Sequence, residues 1–382
     1  MSDTKKALVL ASVASMIDQF NMPNIKLLQE GGFKVSVIAD FSHPGNITEE
    51  RSKELVKELN LMGVETSDIE IPRSLNLSKI VRAYVKVKRI IDSEKFDLIH
   101  CHSPIGGVVA RLAARKSRKK NGTKVIYTAH GFHFYDGAPL KNWMVFYPIE
   151  KRMSRYTDVL VTINQEDYNR ALSKLKASET VYIPGIGIDT DRFKSKNGDA
   201  IRDELGIGKN EVMLLSVGEL NDNKNHEVII RALGSIPEKP FYVIVGKGDR
   251  EEYYHRLIKE MNLQDRIKLV GYRADVADFY SAADVFVFPS FREGLSVSLM
   301  EAMASGLAVA CSRIRGNVDL IDNNGGFFFD PGEQGTVVDA LKKVLDADRQ
   351  ALGEHNKERI KEFDLRTVKR SISKIYGIDQ EV

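Results

Sequence analysis

Two glutamates, Glu293 and Glu301, flank a turn made by Gly294, Leu295 and Ser296. The turn follows Asp284-Val-Phe-Val-Phe-Pro-Ser290, an apolar run that reads as a buried strand ended by proline. Apolar positions at helical spacing come next, closed by Gly306. A strand turning into a helix N-terminus leaves several backbone N–H groups unpaired, and with the helix dipole they attract an anion. The spacing predicts Glu293 at the mouth of that site and Glu301 about two turns inside the helix. Carboxylates repel phosphate but accept hydrogen bonds from hydroxyls. A phosphate pocket bracketed by carboxylates therefore fits a nucleotide-sugar, whose ribose and hexose supply the hydroxyls.

The elements that must position these residues form two alternating series. In residues 1–185 strands are predicted at Ala7–Val13, Lys34–Ala39, Phe96–Cys101, Lys124–Thr128 and Val159–Ile163. Helical patterns lie between them at Pro23–Glu30, Thr48–Leu61, Leu77–Ser93, Gly106–Ser117 and Leu140–Arg155. A second set of strands, Val212–Val217, Phe241–Val245, Ile267–Leu269, Val285–Phe288 and Ala308–Ala310, alternates with five more helices. Such alternation predicts an α/β protein of two doubly wound, Rossmann-like domains, 1–185 and 186–364. Tyr182-Ile-Pro-Gly-Ile-Gly-Ile-Asp189 reads as the hinge, and Leu365–Tyr376 as a last amphipathic helix, with 365–378 packing back on the first domain. Ligands bind beyond the carboxyl ends of such strands, so two domains facing a central cleft would line it with strand ends and helix N-termini.

The bulk properties agree with this. The chain has 382 residues, 43% hydrophobic and 29% charged, an ordinary globular composition with room for two domains. Its two cysteines, Cys101 and Cys311, support no disulfide framework and fit a reducing cytoplasm. The opening Lys5-Lys6 and the apolar run after it read as a first buried strand rather than a leader peptide, because the run is short and leads to Asp18. No stretch approaches the ~20 apolar residues of a membrane span. The first 185 residues carry 28 Lys+Arg against 20 Asp+Glu, the remainder 28 against 33. The basic half points toward something anionic.

The run from Asp284 to Val309 closely resembles the signature of the family-4 retaining glycosyltransferases, which have the two-domain GT-B fold. The resemblance covers nearly the whole chain. It implies that Glu293 contacts donor-sugar hydroxyls, that Glu301 binds the ribose, and that the amides of Gly294, Leu295 and Ser296 meet the donor sugar and distal phosphate. Ser216-Val-Gly-Glu-Leu-Asn-Asp-Asn-Lys-Asn-His226 resembles the family segment whose arginine and lysine clamp the diphosphate. Gly218 and Lys224 match it, but Glu219 stands at the arginine position. A carboxylate there must turn away, pair with a cation such as Lys224 or Arg273, or weaken donor binding. The turns at Gly246 and at Gly271-Tyr272-Arg273 resemble the loops that hold the nucleobase.

In the first domain Thr128-Ala-His-Gly-Phe-His-Phe134 resembles the family's strand-end histidine, which touches the donor sugar, and His130 is the match. Ser15 and Asp18, in a loop after the first strand, are expected to contact the acceptor, as are His102, His133 and Asn164. A zinc site built from His100, His102, His130 and His133 is the competing reading, but the spacing is not diagnostic and the family needs no metal. Asp189-Thr-Asp191 reads as structural punctuation, so no cofactor and no obligatory metal are expected.

Arg111–Lys124 carries seven cations and no acid, and Lys79–Arg89 adds five. Beside them Leu140-Lys-Asn-Trp-Met-Val-Phe-Tyr-Pro148 holds the only tryptophan. Cations near an exposed aromatic patch suit an anionic membrane surface. No base-stacking or groove-reading motif accompanies them, so nucleic acid is not an expected partner. The segments at Ala129–Pro139, Asn223–His226 and Arg315-Gly-Asn-Val-Asp-Leu320 resemble the capsule and exopolysaccharide branch. That implies a UDP-sugar donor, a polyprenyl-diphosphate-linked glycan acceptor, and a cytoplasmic enzyme peripheral at the inner membrane face. Two other readings are open at this stage: a nucleotide-sugar epimerase or hydrolase on the same fold, and a non-catalytic nucleotide-sugar-binding protein, for which Glu219 speaks.

Overall fold

The computed structural model describes residues 4–185, 187–193 and 197–378. Ile186, inside the predicted hinge stretch, lies outside them. The chain divides into two compact units, Met1–Ile186 with Arg366–Val382, and Gly187–Leu365.

The first unit runs β1 (Lys6–Val13), α1 (Ala14–Phe20), α2 (Met22–Glu30), β2 (Lys34–Asp40), α3 (Glu49–Leu61), β3 (Glu65–Asp68) and α4 (Leu77–Glu94). It continues with β4 (Leu98–His102), α5 (Pro104–Asn121), β5 (Lys124–Ala129), α6 (Leu140–Met153), β6 (Val159–Thr162), α7 (Gln165–Lys174) and β7 (Glu179–Tyr182). Its seven strands pair in parallel in the order β3-β2-β1-β4-β5-β6-β7. The central strands are buried almost throughout because helices cover both faces, giving one core layer around Val9, Val37 and Leu28 and another around Leu10, Ile99 and Val125.

The second unit holds α8 (Gly198–Leu205), β8 (Met213–Val217), α9 (His226–Leu233), β9 (Phe241–Val245), α10 (Glu251–Glu260), β10 (Ile267–Leu269), α11 (Val276–Ala282) and β11 (Val285–Phe288). Then come α12 (Val297–Ser305), β12 (Ala308–Ser312), α13 (Asn317–Leu320), β13 (Gly326–Phe329), α14 (Gln334–Asp346) and α15 (Arg349–Arg359). The sheet order β10-β9-β8-β11-β12-β13 reverses direction between β8 and β11, as the first sheet does between β1 and β4. Those reversals are the places where a doubly wound sheet opens a crevice at its carboxyl edge.

The last helix, α16 (Leu365–Tyr376), buries Val368, Ile372, Ile375 and Tyr376 in the first unit's core. Apolar residues at i, i+4 and i+7 make one face of a helix, which is what that core lacks on its open side. The edge strands β3, β7 and β13 were not expected. Glu65–Asp68 and Glu179–Tyr182 lack an apolar run because an edge strand needs little burial. Helix α1 was also unexpected. It starts at Ala14, so Ser15 and Asp18 lie on a helix rather than in a loop.

Candidate active site

In the second unit the reversal between β8 and β11 collects Lys224, Glu293 and the start of α12. Lys224 Nζ lies 2.8 Å from Glu293 Oε1 and above the Phe288 ring. The backbone amide of Lys224 donates to Asn221 Oδ1, and Asn223 receives the Phe291 amide on its carbonyl while its side chain donates to the Arg292 carbonyl. Asn225, with φ of 52°, donates to the carbonyls of Pro289 and Pro331. Two asparagines thus fasten the lysine to the loop that carries Glu293.

Ser296 caps α12, its hydroxyl accepting from the Leu299 amide. Among the described residues the amides of Gly294, Leu295 and Ser296 reach no hydrogen-bond acceptor. They form a cluster of free donors at a helix N-terminus. Glu301 is the fifth residue of α12, little more than one turn in rather than two, because the helix begins at Val297. The Tyr280 hydroxyl lies 2.9 Å from its Oε2, and burial raises the carboxyl above its usual range. Tyr280 stands 21 positions earlier, and no sequence spacing singles it out.

The turns after β8, β9 and β10 interlock. Gly218 donates to Val245, Gly246 to Gly271, and Leu220 to Lys247. Gly246 has φ of 151°, and a Cβ there would overlap the Gly218 carbonyl oxygen, so only glycine fits. Tyr272 is 75% exposed at the rim. Arg273 is held by both oxygens of Glu204 and by Asp275, which removes it as a partner for Glu219. Lys224 is likewise taken by Glu293. Glu219 is exposed, and among the described residues no cation pairs with it. Of the outcomes considered for this residue, pairing with Lys224 or Arg273 is therefore excluded.

In the first unit a cavity of about 550 Å³ opens at the ends of β1, β4 and β5. Ser12, Ser15, Phe20, Ser103, His130 and His133 are in its wall. His102, behind the wall, places Nδ1 3.2 Å from His130 Nε2. The His100 ring lies against that of His102, centroids 4.2 Å apart, and is itself held by the Tyr376 hydroxyl at 2.7 Å and Thr128 Oγ1 at 2.8 Å. Burial lowers the pKa of His130 to about 4 and of His100 to about 3. His130 therefore faces the cavity neutral at physiological pH. Both His100 nitrogens are occupied, His133 lies against Phe146, and no group of three metal-ligating side chains gathers among the described residues.

Two expected acceptor contacts are committed elsewhere. Asp18 is gripped by Arg51, with one bond of 2.6 Å. Asn164 is fully buried as the N-cap of α7, accepting from the Asp167 amide and donating to the Asp167 carboxylate. A strand-end asparagine serves a cap as readily as a ligand. The sequence reading overlooked Arg73, a cation in the cavity wall.

The basic stretch 111–124 is less free than its composition implies. Arg111 is completely buried, paired with Glu150 and lying over the Tyr127 ring, and Arg118 binds Asp158. Lys124 donates to the Ile375 carbonyl. Arg115, Lys116, Lys119 and Lys120 remain exposed.

Comparison with known proteins agrees with these features. The family model described as "Glycosyltransferase Family 4" matches residues 25–192, and that described as "Glycosyl transferases group 1" matches residues 197–361. EpsD of Bacillus subtilis, named as a glycosyltransferase, is 35% identical over 349 residues, covering 89% of this chain and 87% of EpsD. The UDP-Gal:alpha-D-GlcNAc-diphosphoundecaprenol alpha-1,3-galactosyltransferase of Escherichia coli is 29% identical, covering 72% of this chain and 73% of its own. Among solved structures, HepE of Anabaena in complex with UDP superposes with a TM-score of 0.78 at 19% identity, over 97% of this chain and 99% of that one. With the GT-B halves, the matched halves of the sequence and the EpsD relationship together, the chain belongs to the family-4, group 1 glycosyltransferases.

Proposed function

We propose that the protein is a retaining hexosyltransferase that moves a hexose or N-acetylhexosamine from a UDP-sugar to a polyprenyl-diphosphate-linked glycan in surface polysaccharide synthesis. The observation that carries the reading is the arrangement in the second unit: Lys224 and Glu293 paired beside three unpaired amides at the N-terminus of α12. Lys224 and Glu293 are each other's partner. Donor binding exchanges them, the diphosphate taking Lys224 and the amides, the sugar hydroxyls taking Glu293, and the ribose taking Glu301.

In the reaction the bond between the anomeric carbon and the distal phosphate oxygen breaks while the acceptor oxygen bonds to that carbon on the same face. The acceptor proton passes to the departing phosphate. Lys224 and the α12 amides stabilise the charge that develops there. His130, neutral, faces the first unit's cavity, where it is available to hydrogen-bond a sugar hydroxyl. No metal has a part in this scheme, so turnover is expected to survive a chelator.

The acceptor reading draws on the diphosphoundecaprenol substrate in the name of the E. coli relative and on the first unit's cavity, with Arg73 and several hydroxyls in its wall. We place the enzyme in the cytoplasm, peripheral at the inner membrane face. No helix among the described residues is long and apolar enough to cross a membrane. The exposed Leu140 and Met144 and the free cations of α5 supply a surface for anionic lipid.

Thermal unfolding with UDP, GDP and ADP tests the donor. A ligand at 100 times its Kd adds about 2.7 kcal/mol of stability. Selective stabilisation by UDP is the expected result, followed by sugar transfer to a diphosphoundecaprenol-linked glycan. Stabilisation by none of the three at millimolar concentration would overturn the reading.

A further inference from the structure

The cavity of the first unit does not end at its polar wall. Leu75, Ile105, Tyr127 and Phe146 line it and also line a smaller recess that runs between α5, α6 and the loop after β5. Past the shared residues the recess is walled by Val108, Phe132, Phe134, Ile149 and Glu150. Glu150 is the one polar side chain of that set, and Arg111 holds both its oxygens. Phe132 and Phe134 are buried and stacked, ring centroids 4.8 Å apart. In such a space a sugar would leave hydroxyls without partners and a diphosphate would leave charge without water. A hydrocarbon chain gains free energy by entering it.

The mouth has the opposite character. Arg73, in the loop between β3 and α4, lines the cavity two residues before Leu75, and among the described residues no carboxylate pairs with it. Ser12, Ser15, Ser74 and Ser103 add hydroxyls to the same wall. Leu75 is 55% exposed, and Leu77 and Val81, four positions apart at the start of α4, are 75% and 58% exposed. An unpaired cation, hydroxyls and an apolar recess therefore line one connected space. That combination complements an amphiphile with an anionic headgroup.

We propose that the recess binds the first isoprene units of a polyprenyl diphosphate, with Arg73 at the diphosphate and the glycan on the side of Ser12, Ser15 and His130. This deepens the lipid-linked acceptor reading and rests on it: the lipid is recognised by the protein as well as held by the bilayer. The rest of the chain, too long for the recess, leaves past Leu75 along Leu77 and Val81.

The test titrates the full chain with inorganic diphosphate and with farnesyl diphosphate below its micelle concentration, both with saturating UDP to occupy the nucleotide site. Calorimetry gives the affinities. Trp143, the only tryptophan, meets the Phe134 ring edge-on at 5.7 Å, so its emission reports on the recess wall. Farnesyl diphosphate is expected to bind at least about tenfold more tightly than diphosphate and to change that emission. Leu75→Asn and Val108→Phe, one making the recess polar and the other narrowing it, are expected to bring farnesyl diphosphate to within about threefold of diphosphate. Leu75 lies on an exposed loop, so its variant keeps the test open where the filled helix position disturbs packing. Arg73→Ala is expected to weaken both probes by about three- to tenfold. Equal affinity of wild type for the two probes, or unchanged farnesyl diphosphate affinity in Leu75→Asn, would overturn the recess as a prenyl site. Unchanged affinities in Arg73→Ala would overturn the placement of the headgroup. If wild type transfers sugar to no diphosphoundecaprenol-linked glycan, the acceptor reading itself falls, and that result is separate from a wild type that transfers but binds both probes alike.

Discussion

At the residue scale the chemistry rests on a few charges held in fixed partnerships. Removing Lys224 takes away stabilisation of the departing phosphate. Lys224→Ala is expected to lower kcat by about 100- to 1,000-fold, with stability changed by no more than about 1 kcal/mol. Steady-state kinetics and a denaturant titration check the two halves. The histidines act on stability. His100 and His130 have folded pKa values of about 3 and about 4, lowered by burial from 6.5. Between pH 6.5 and those values the unfolded chain binds protons that the folded unit does not. Stability is therefore full above pH 6.5 and falls as pH falls, by about 1.4 kcal/mol per pH unit for each histidine. Denaturant midpoints at pH 7, 6 and 5 should decline steeply; a flat profile would contradict the burial of these rings.

At the element scale the tertiary contacts of α16 and α5 matter most. Helix α16 follows the second unit in sequence yet supplies four buried side chains, Val368, Ile372, Ile375 and Tyr376, to the hydrophobic core of the first. Ending the chain at Asp364 removes them together, and each fully buried side chain is worth about 1.5–3 kcal/mol. The truncated protein is expected to expose the first unit's core and bind a hydrophobic dye at 25 °C. A gentler change, Tyr376→Phe, deletes only the bond to His100 and should cost about 1 kcal/mol. In α5, Arg111 is buried against Glu150 under the cavity residue Tyr127. Glu150→Ala leaves an uncompensated buried charge, a loss of about 3–5 kcal/mol that a melting curve will show.

At the scale of the molecule the question is what the enzyme associates with. Charge reversal at Lys116, Lys119 and Lys120 leaves every ion pair described above intact, because Arg111 and Arg118 hold those pairs. The triple Glu variant is expected to lose flotation with phosphatidylglycerol-containing liposomes while retaining UDP binding. Flotation equal to wild type would remove α5 as the lipid-facing element.

Much of this protein was legible in the amino-acid order. Apolar runs of four to eight residues alternating with helical periodicity announce buried parallel strands, since both faces of those strands must be covered. The run Phe291–Val309 announces its site because the free amides, the cap and the glutamates are all local to one turn and one helix. What depends on distant partners was not legible. Whether Arg273 meets a phosphate or Glu204 is settled by a residue 69 positions away, and whether Asn164 is a ligand or a cap by how deeply β6 ends. Arg111, read as part of a basic face, points inward because Glu150 on another helix offsets its charge there. Arg315 lies beside Glu293 only because β12 pairs with β11 and sets their following loops side by side. Sequence sets local conformation and pattern. The partner of a charged side chain is chosen by the fold, because Coulomb attraction and desolvation depend on distances that exist only after the chain has packed.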